Sequence, residues 1–210
     1  MILRSIKKAI KKFIIFPFRQ LTAPKKKEFC NQQIPKIKYT DGSWLTIATT
    51  PDQQRIEDYL TLQQITVKQI LHIGTGNSSF AKKFHATNFI DSITIVDDEL
   101  DYAIALNLPN YRCFKLNKYS NDLLRLPVKY DIISDNNLSS FACCQQHFEE
   151  MMHNYFALLK PNGYIITDKK GMAYHQDFAF PITVDDLKII LPEAKFSIQE
   201  HTVIIEKKLD

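Results

Sequence analysis

Gln69-Ile70-Leu71-His72-Ile73-Gly74-Thr75-Gly76-Asn77-Ser78-Ser79, QILHIGTGNSS, reads as a short apolar strand that runs into a glycine turn, with a helix beginning near Phe80. Glycine lets the backbone turn sharply and approach a ligand, and the helix start that follows offers unpaired N–H groups. Apolar strand, Gly-x-Gly and helix in that order form the first βα unit of a doubly wound nucleotide-binding sheet. Alone the motif is weak, because Gly-x-Gly turns also occur in loops that bind nothing. Ser92 to Asp98, SITIVDD, strengthens it: a β-branched run ending in acids follows about twenty residues on, where such folds hold the hydroxyls of a ribose. Asp97 is the expected ribose ligand.

Two later stretches repeat the pattern of a strand ending in polar residues. Lys129 to Asn137, KYDIISDNN, is one. In the other, Phe156 to Asp168, FALLKPNGYIITD, a helix is expected to close on Pro161-Asn162-Gly163 before a strand begins. With LHIGTGNSS and ITIVDDE these stretches stand in the order, and at about the spacing, of class I S-adenosylmethionine-dependent methyltransferases, a family the chain resembles over roughly residues 55 to 207. The resemblance implies an α/β fold: a doubly wound, mostly parallel Rossmann-like sheet with a C-terminal antiparallel strand pair, expected at Phe196–Ile198 and Val203–Ile205. It implies S-adenosylmethionine as cofactor, held by His72, Gly74, Gly76, Asn77, Asp97, Asn117 and Asp135. Asn117, after the third strand (Tyr111–Leu116), matches the position that reads the adenine amino group, and an amide can donate and accept there.

His72 departs from the family pattern. The family usually has an acid there, two residues before the first glycine, to hold the ammonium of the cofactor's methionine part. Ser78 stands where a third glycine is usual, tolerable if its hydroxyl points away from the ligand. Methyl transfer itself needs alignment and, for a poor nucleophile, removal of a proton. Open sheets bind ligands at their strand ends, so the acceptor-side candidates are Asp135, Asn136 and Asn137 after the fourth strand, and Asp168, Lys169, Tyr174 and His175 after the fifth. His175 is the first choice of general base, with Asp135 the second catalytic candidate. Tyr39 and Trp44, ahead of the first strand, are candidates for a lid or for an anchor of the N-terminal arm.

Composition bounds these readings. The chain has 210 residues, 45% hydrophobic and 24% charged, enough for one well-buried domain, expected over 36–210, plus an appendage over 1–35. The net charge of +4 is unevenly placed: nine of the 27 basic residues and no acid lie in residues 1–27, leaving 18 basic against 23 acidic, or −5, for the rest. An acidic body argues against nucleic acid as a partner. In the arm, Ile2, Leu3, Ile6, Ile10, Phe13 and Ile14 recur at helical spacing beside the lysine pairs 7–8 and 11–12, and Pro17 ends the pattern. This basic amphipathic helix is too short and too charged to span a bilayer but suited to an anionic membrane surface through residues 1–20. Packing on the domain and an organellar presequence are the alternatives.

Pro51 and Asp52 open a helix running to about Gln64, with Thr50 or Asp52 as cap. Between Gln145 and Leu159 the stripe Phe148, Met151, Met152, Tyr155, Phe156 and Leu159 reads as core. Cys30, Cys113, Cys143 and Cys144 show no pairwise ligand spacing and the six histidines are scattered, so reduced thiols, no metal ligands and a reducing, cytoplasmic setting are expected.

Three functions fit. One is a methyltransferase acting on a small-molecule, lipid or lipid-linked acceptor, held at a membrane surface. Another is a relative that kept the fold and serves in binding or regulation. The third is a nicotinamide dinucleotide enzyme, against which Ser79 occupies the last position of the longer glycine fingerprint.

Overall fold

The computed structural model describes residues 44–172 and 182–208. Its centre is a run of parallel strands, β1 (Gln69–Ile73), β2 (Phe89–Thr94), β3 (Tyr111–Lys115), β4 (Tyr130–Ser134) and β5 (Leu159–Asp168), of which β1, β4 and β5 bury apolar residues on both faces. Ile70, Ile132 and Ile166 point to one side of the sheet and Leu71, Ile133 and Ile165 to the other, all fully buried. Burial on both faces is what a parallel sheet covered by crossover helices requires. On the first side lie α1 (Pro51–Leu62) and α2 (Ser79–Phe84), which contribute Ile56, Leu60, Phe80 and Phe84. On the other lie α4 (Gln145–Leu158) and α5 (Val184–Ile190). The expected α4 stripe is core, with Phe148, Met151, Met152 and Tyr155 at 0% exposure. Helix α3 (Asp97–Ala105) crosses from β2 to β3.

The strand order is β3-β2-β1-β4-β5-β7-β6. β6 (Lys195–Gln199) and β7 (Thr202–Glu206) form an antiparallel pair, and β7 runs antiparallel to β5, as the sequence leads one to expect. The order reverses between β1 and β4, which pair in parallel with His72 opposite Ser134. Ligands of open α/β sheets bind outside the strand ends at such a switch point.

Three local expectations are corrected. Helix α4 ends at Leu158, and Pro161-Asn162-Gly163 lies inside β5. Pro161 disfavours helical backbone at the residue before it, and the surplus residues make a bulge, with the register shifting between Tyr130 and Ile132 and Asn162 in the left-handed region. A Cβ on Gly163 would stand 2.9 Å from the Tyr130 carbonyl oxygen, so this turn admits only glycine. Strand β2 ends at Thr94, short of Val96 where the β-branched run stops, because the Thr94 hydroxyl accepts from the Val96 amide and turns the chain into α3. At the start of α1, Thr50 takes the cap position without a side-chain capping bond, and the Asp52 carboxylate accepts instead from the Asn136 amide at 2.6 Å.

The expected N-terminal helix, Tyr39, Cys30, Tyr174 and His175 lie outside the described residues. No helix among the described residues is long and apolar enough to cross a membrane.

Candidate functional site

The loops after β1, β2, β4 and β5, together with the segment leading into α1, enclose a cavity of about 800 Å³ at the C-terminal ends of the strands. A volume of that order matches a drug-sized ligand. The glycine turn forms one wall. Gly74 and Gly76 have φ of +89° and +50°, in the left-handed region that favours glycine. The Gly76 amide donates to Glu99 Oε2 at 3.2 Å. Asn77 fastens the turn to the preceding segment, its Nδ2 donating to the Ile47 carbonyl and its Oδ1 accepting from the Ser79 amide. Ser78 also sits in the left-handed region, and its hydroxyl lies 3.1 Å from the Tyr111 hydroxyl rather than against the cavity. The side chain that replaces glycine there is thus directed away from the site.

His72 lines the cavity floor at 5% exposure. Its ring stacks on Phe80, centroids 4.3 Å apart and planes 3° from parallel. Burial drives the imidazole down to about 4, against an opposing contribution from the Gly74 backbone, so the ring is neutral at pH 7. Its Nδ1 is buried and finds no hydrogen-bond partner among the described residues. A buried polar atom left unpaired is costly and uncommon, and here it belongs to a residue that lines the cavity.

The acid at the end of β2 is Glu99 rather than Asp97. Helix α3 begins at Asp97, whose exposed side chain pairs with Lys115 and does not line the cavity. One turn into the helix, Glu99 points back to the glycine loop at 3% exposure. It accepts from the amides of Trp44 and Gly76 and, at 2.6 Å, from the Thr94 hydroxyl. Trp44, the single tryptophan, also lines the cavity. Asn117 spends its Oδ1 on the Tyr119 amide and is absent from the lining, where the adjacent Lys118 appears instead.

Asp135 borders the cavity at 1% exposure and accepts three hydrogen bonds. Oδ2 accepts from Lys118 Nζ and the Tyr155 hydroxyl, each at 3.0 Å, and Oδ1 accepts from the Asn137 amide. Lys118 Nζ in turn reaches the carbonyls of Asn137 and Leu138 and the Ser140 hydroxyl. Burial lowers the Lys118 ammonium, opposed by Asp135, and raises the Tyr155 phenol well above its usual range. Held this way, Asp135 keeps the loop after β4 in shape.

Asp168 has a similar part on the other side. Arg55 of α1 clasps it with two bonds of 2.6 and 2.8 Å, and its Oδ1 also accepts from the amides of Lys170 and Gly171. Burial pushes this carboxyl up, but Arg55 and the two amides outweigh it and hold it below the usual carboxylate range. Close by, a Cβ on Gly171 would fall 2.3 Å from the Asn136 carbonyl oxygen and 2.7 Å from Asp52 Oδ2. Gly171 therefore lets three cavity loops meet, a role that the sequence alone does not reveal.

Outside the cavity lining, the turn before α4 gathers Cys143, Cys144 and His147, with all three donor atoms within 4.8 Å of one another. The sequence offers these cysteines no pairwise ligand spacing, but the fold brings the adjacent pair together with a histidine one helical turn on.

No protein-family signature and no curated protein matches the sequence. Solved structures do match in shape. An N-methyltransferase, NodS from Bradyrhizobium japonicum WM9 in complex with S-adenosyl-L-homocysteine, superposes with a TM-score of 0.62 at 12% identity, covering 81% of this chain and 94% of that one. A SAM-dependent methyltransferase from Methanosarcina mazei gives 0.53 at 13% identity over 78% and 100% of the two chains. An O-methyltransferase family protein from Burkholderia thailandensis gives 0.55 at 12% identity over 74% and 55%. The strand order, the switch-point cavity and these likenesses agree: the chain has the fold of the class I S-adenosylmethionine-dependent methyltransferases.

Proposed function

We propose that the protein binds S-adenosylmethionine in this cavity and transfers its methyl group to a small-molecule or lipid acceptor. The observation that carries the reading is the buried, unpartnered Nδ1 of His72 on the cavity floor, at the position where the resembling family holds the cofactor's ammonium. A neutral imidazole has one nitrogen able to accept a hydrogen bond. With Nδ1 as that nitrogen, His72 accepts from the ammonium directly and its orphaned atom is satisfied. Glu99 is the acid for a ribose hydroxyl: a carboxylate has about four lone-pair sites, and three bonds are made to it here. The bound cofactor would supply an activated methyl group on a sulfonium. The chain's own contribution is to position the partners and exclude water, through the Gly74–Asn77 turn, Trp44 and the Arg55–Asp168 clasp.

A thermal-shift titration tests this. S-adenosylhomocysteine is expected to raise the melting temperature by binding the folded state, NAD is not, and Glu99→Gln should reduce the shift. A shift with NAD alone would refute the reading. A shift with S-adenosylhomocysteine, but no labelled methyl transferred from S-adenosylmethionine into lipid or metabolite extracts, would favour a binding or regulatory protein.

The lipid alternative for the acceptor is supported by residues 1–20, whose apolar stripe and lysine pairs suit an anionic surface. Each basic residue near such a leaflet contributes on the order of 1 kcal/mol. Deleting residues 1–20 should release the protein from anionic liposomes, and binding by the full chain should fall with salt. Equal sedimentation of both forms would remove the membrane from the proposal.

A further inference from the structure

The turn between β4 and α4 carries a group of side chains that the cavity does not use. Cys143 and Cys144 are adjacent, and His147 follows in the first turn of α4. The sulfurs are 3.8 Å apart, and His147 Nδ1 lies 3.2 Å from one and 3.1 Å from the other. We propose that Cys143, Cys144 and His147 bind a thiophilic d¹⁰ cation of the zinc class, which clamps the cavity-wall loop to the start of α4.

Three observations carry the assignment. The first is geometry. Zinc bonds of about 2.3 Å to sulfur and about 2.0–2.1 Å to nitrogen in a tetrahedron place two sulfurs about 3.8 Å apart and sulfur and nitrogen about 3.6 Å apart. The sulfurs already have that spacing, and the ring has to move out by only about 0.4 Å. The second is charge. Two thiolates and one divalent ion make a neutral unit, which suits a site where Cys144 is fully buried and His147 is 5% exposed. Cys144 also occupies the N-cap of α4 without spending its side chain on a capping bond. The third is access: Cys143 is only partly buried, which gives an ion a path in.

The consequence is mechanical. Ser140 and Phe141 line the cavity immediately before the two cysteines, and Phe141 holds a left-handed φ of 64°. An ion bridging Cys143 to His147 would fix this segment from its C-terminal end, as Lys118 and Tyr119 fix it at Ser140. The site is independent of the methyl-transfer reading and stands or falls without it.

The test uses the full chain, kept reduced with a phosphine. Cobalt(II) should produce a thiolate-to-metal charge-transfer band and strong tetrahedral d–d bands at one equivalent, and zinc should bleach them. Cys143→Ser combined with Cys144→Ser should abolish the bands. His147→Ala should weaken binding by more than the ~10–100-fold typical of losing an outer-shell partner, and Cys30→Ser with Cys113→Ser should leave the bands intact. Because Cys144 and His147 are buried and their variants can misfold, alkylation of the wild-type protein provides a second measurement. Zinc should protect Cys143 and Cys144 from iodoacetamide, read peptide by peptide, while Cys113 is unaffected. Absence of the charge-transfer band in the wild type, its persistence in the double cysteine variant, or equal alkylation with and without zinc would each overturn the site.

Discussion

His72 and Asp135 stand at the ends of two neighbouring strands, β1 and β4, and both face the same cavity from almost complete burial. They differ in what surrounds them. Asp135 is bonded by an ammonium, a phenol and a backbone amide, whereas the Nδ1 of His72 meets none among the described residues. The Asp135 contacts tie the loop after β4 to Lys118 and to α4, whereas the His72 nitrogen is a buried polar atom with no partner among the described residues. Strand position, which the two share, does not tell them apart; their hydrogen-bond partners do.

Breaking the satisfied side should have the largest effect. Asp135→Ala leaves the Lys118 ammonium buried without its counter-charge, and losing one partner of a buried pair costs about 3–5 kcal/mol. Urea denaturation would measure it, and Lys118→Met combined with Asp135→Leu should recover most of the loss. A cost for Asp135→Ala below about 1 kcal/mol, the range of an exposed pair, would show that the network is not structural.

The unsatisfied side should appear next, as a pH dependence. The His72 imidazole titrates at 6.5 when unfolded and at about 4 when folded. Below pH 6.5 the unfolded chain takes up a proton that the folded chain refuses, so stability present above pH 6.5 is lost progressively as pH falls to about 4. The full loss is on the order of 3 kcal/mol. His72→Asn, which cannot ionise, should flatten that part of the stability profile; an unchanged slope would place the titrating group elsewhere.

The smallest effect sharpens the comparison. His72→Asp offers a charged acceptor in place of a neutral one, and should tighten S-adenosylhomocysteine binding by ~1.5 kcal/mol, the scale of one charge-assisted hydrogen bond. Calorimetric titration of both proteins would measure the difference. Weaker binding by the variant would mean that the imidazole contributes its ring, through the Phe80 stack, as well as its nitrogen.

Much of this architecture is legible in the sequence because its signals are local. The strand-turn-helix around Gly74 and Gly76 and the α4 stripe depend on residues a few positions apart. The cavity lining is legible where the same holds, at Gly74, Gly76, His72 and Asn77. It shifts where a helix start decides which way a side chain points: with α3 beginning at Asp97, the inward acid is Glu99, two residues later. After β3, Asn117 turns to its own backbone and the neighbouring Lys118 reaches the cavity. The Arg55–Asp168 clasp joins residues 113 positions apart, and Gly171 is needed only because Asn136 and Asp52 arrive from elsewhere in the chain. Neither leaves a trace in local spacing.

The Glu99 contact with the glycine turn acts as a filter on ligand charge. In dinucleotide-binding folds the first glycine turn and the helix after it receive a pyrophosphate. Here the Gly76 N–H is already bonded to a carboxylate of the chain itself. A phosphate arriving at that turn would have to displace a buried negative charge or stand beside it, and like charges in a poorly solvated pocket repel strongly. A cationic ligand meets the opposite situation and gains from the same carboxylate. One internal anion thus turns a loop shape shared by many nucleotide sites into one that discriminates by sign.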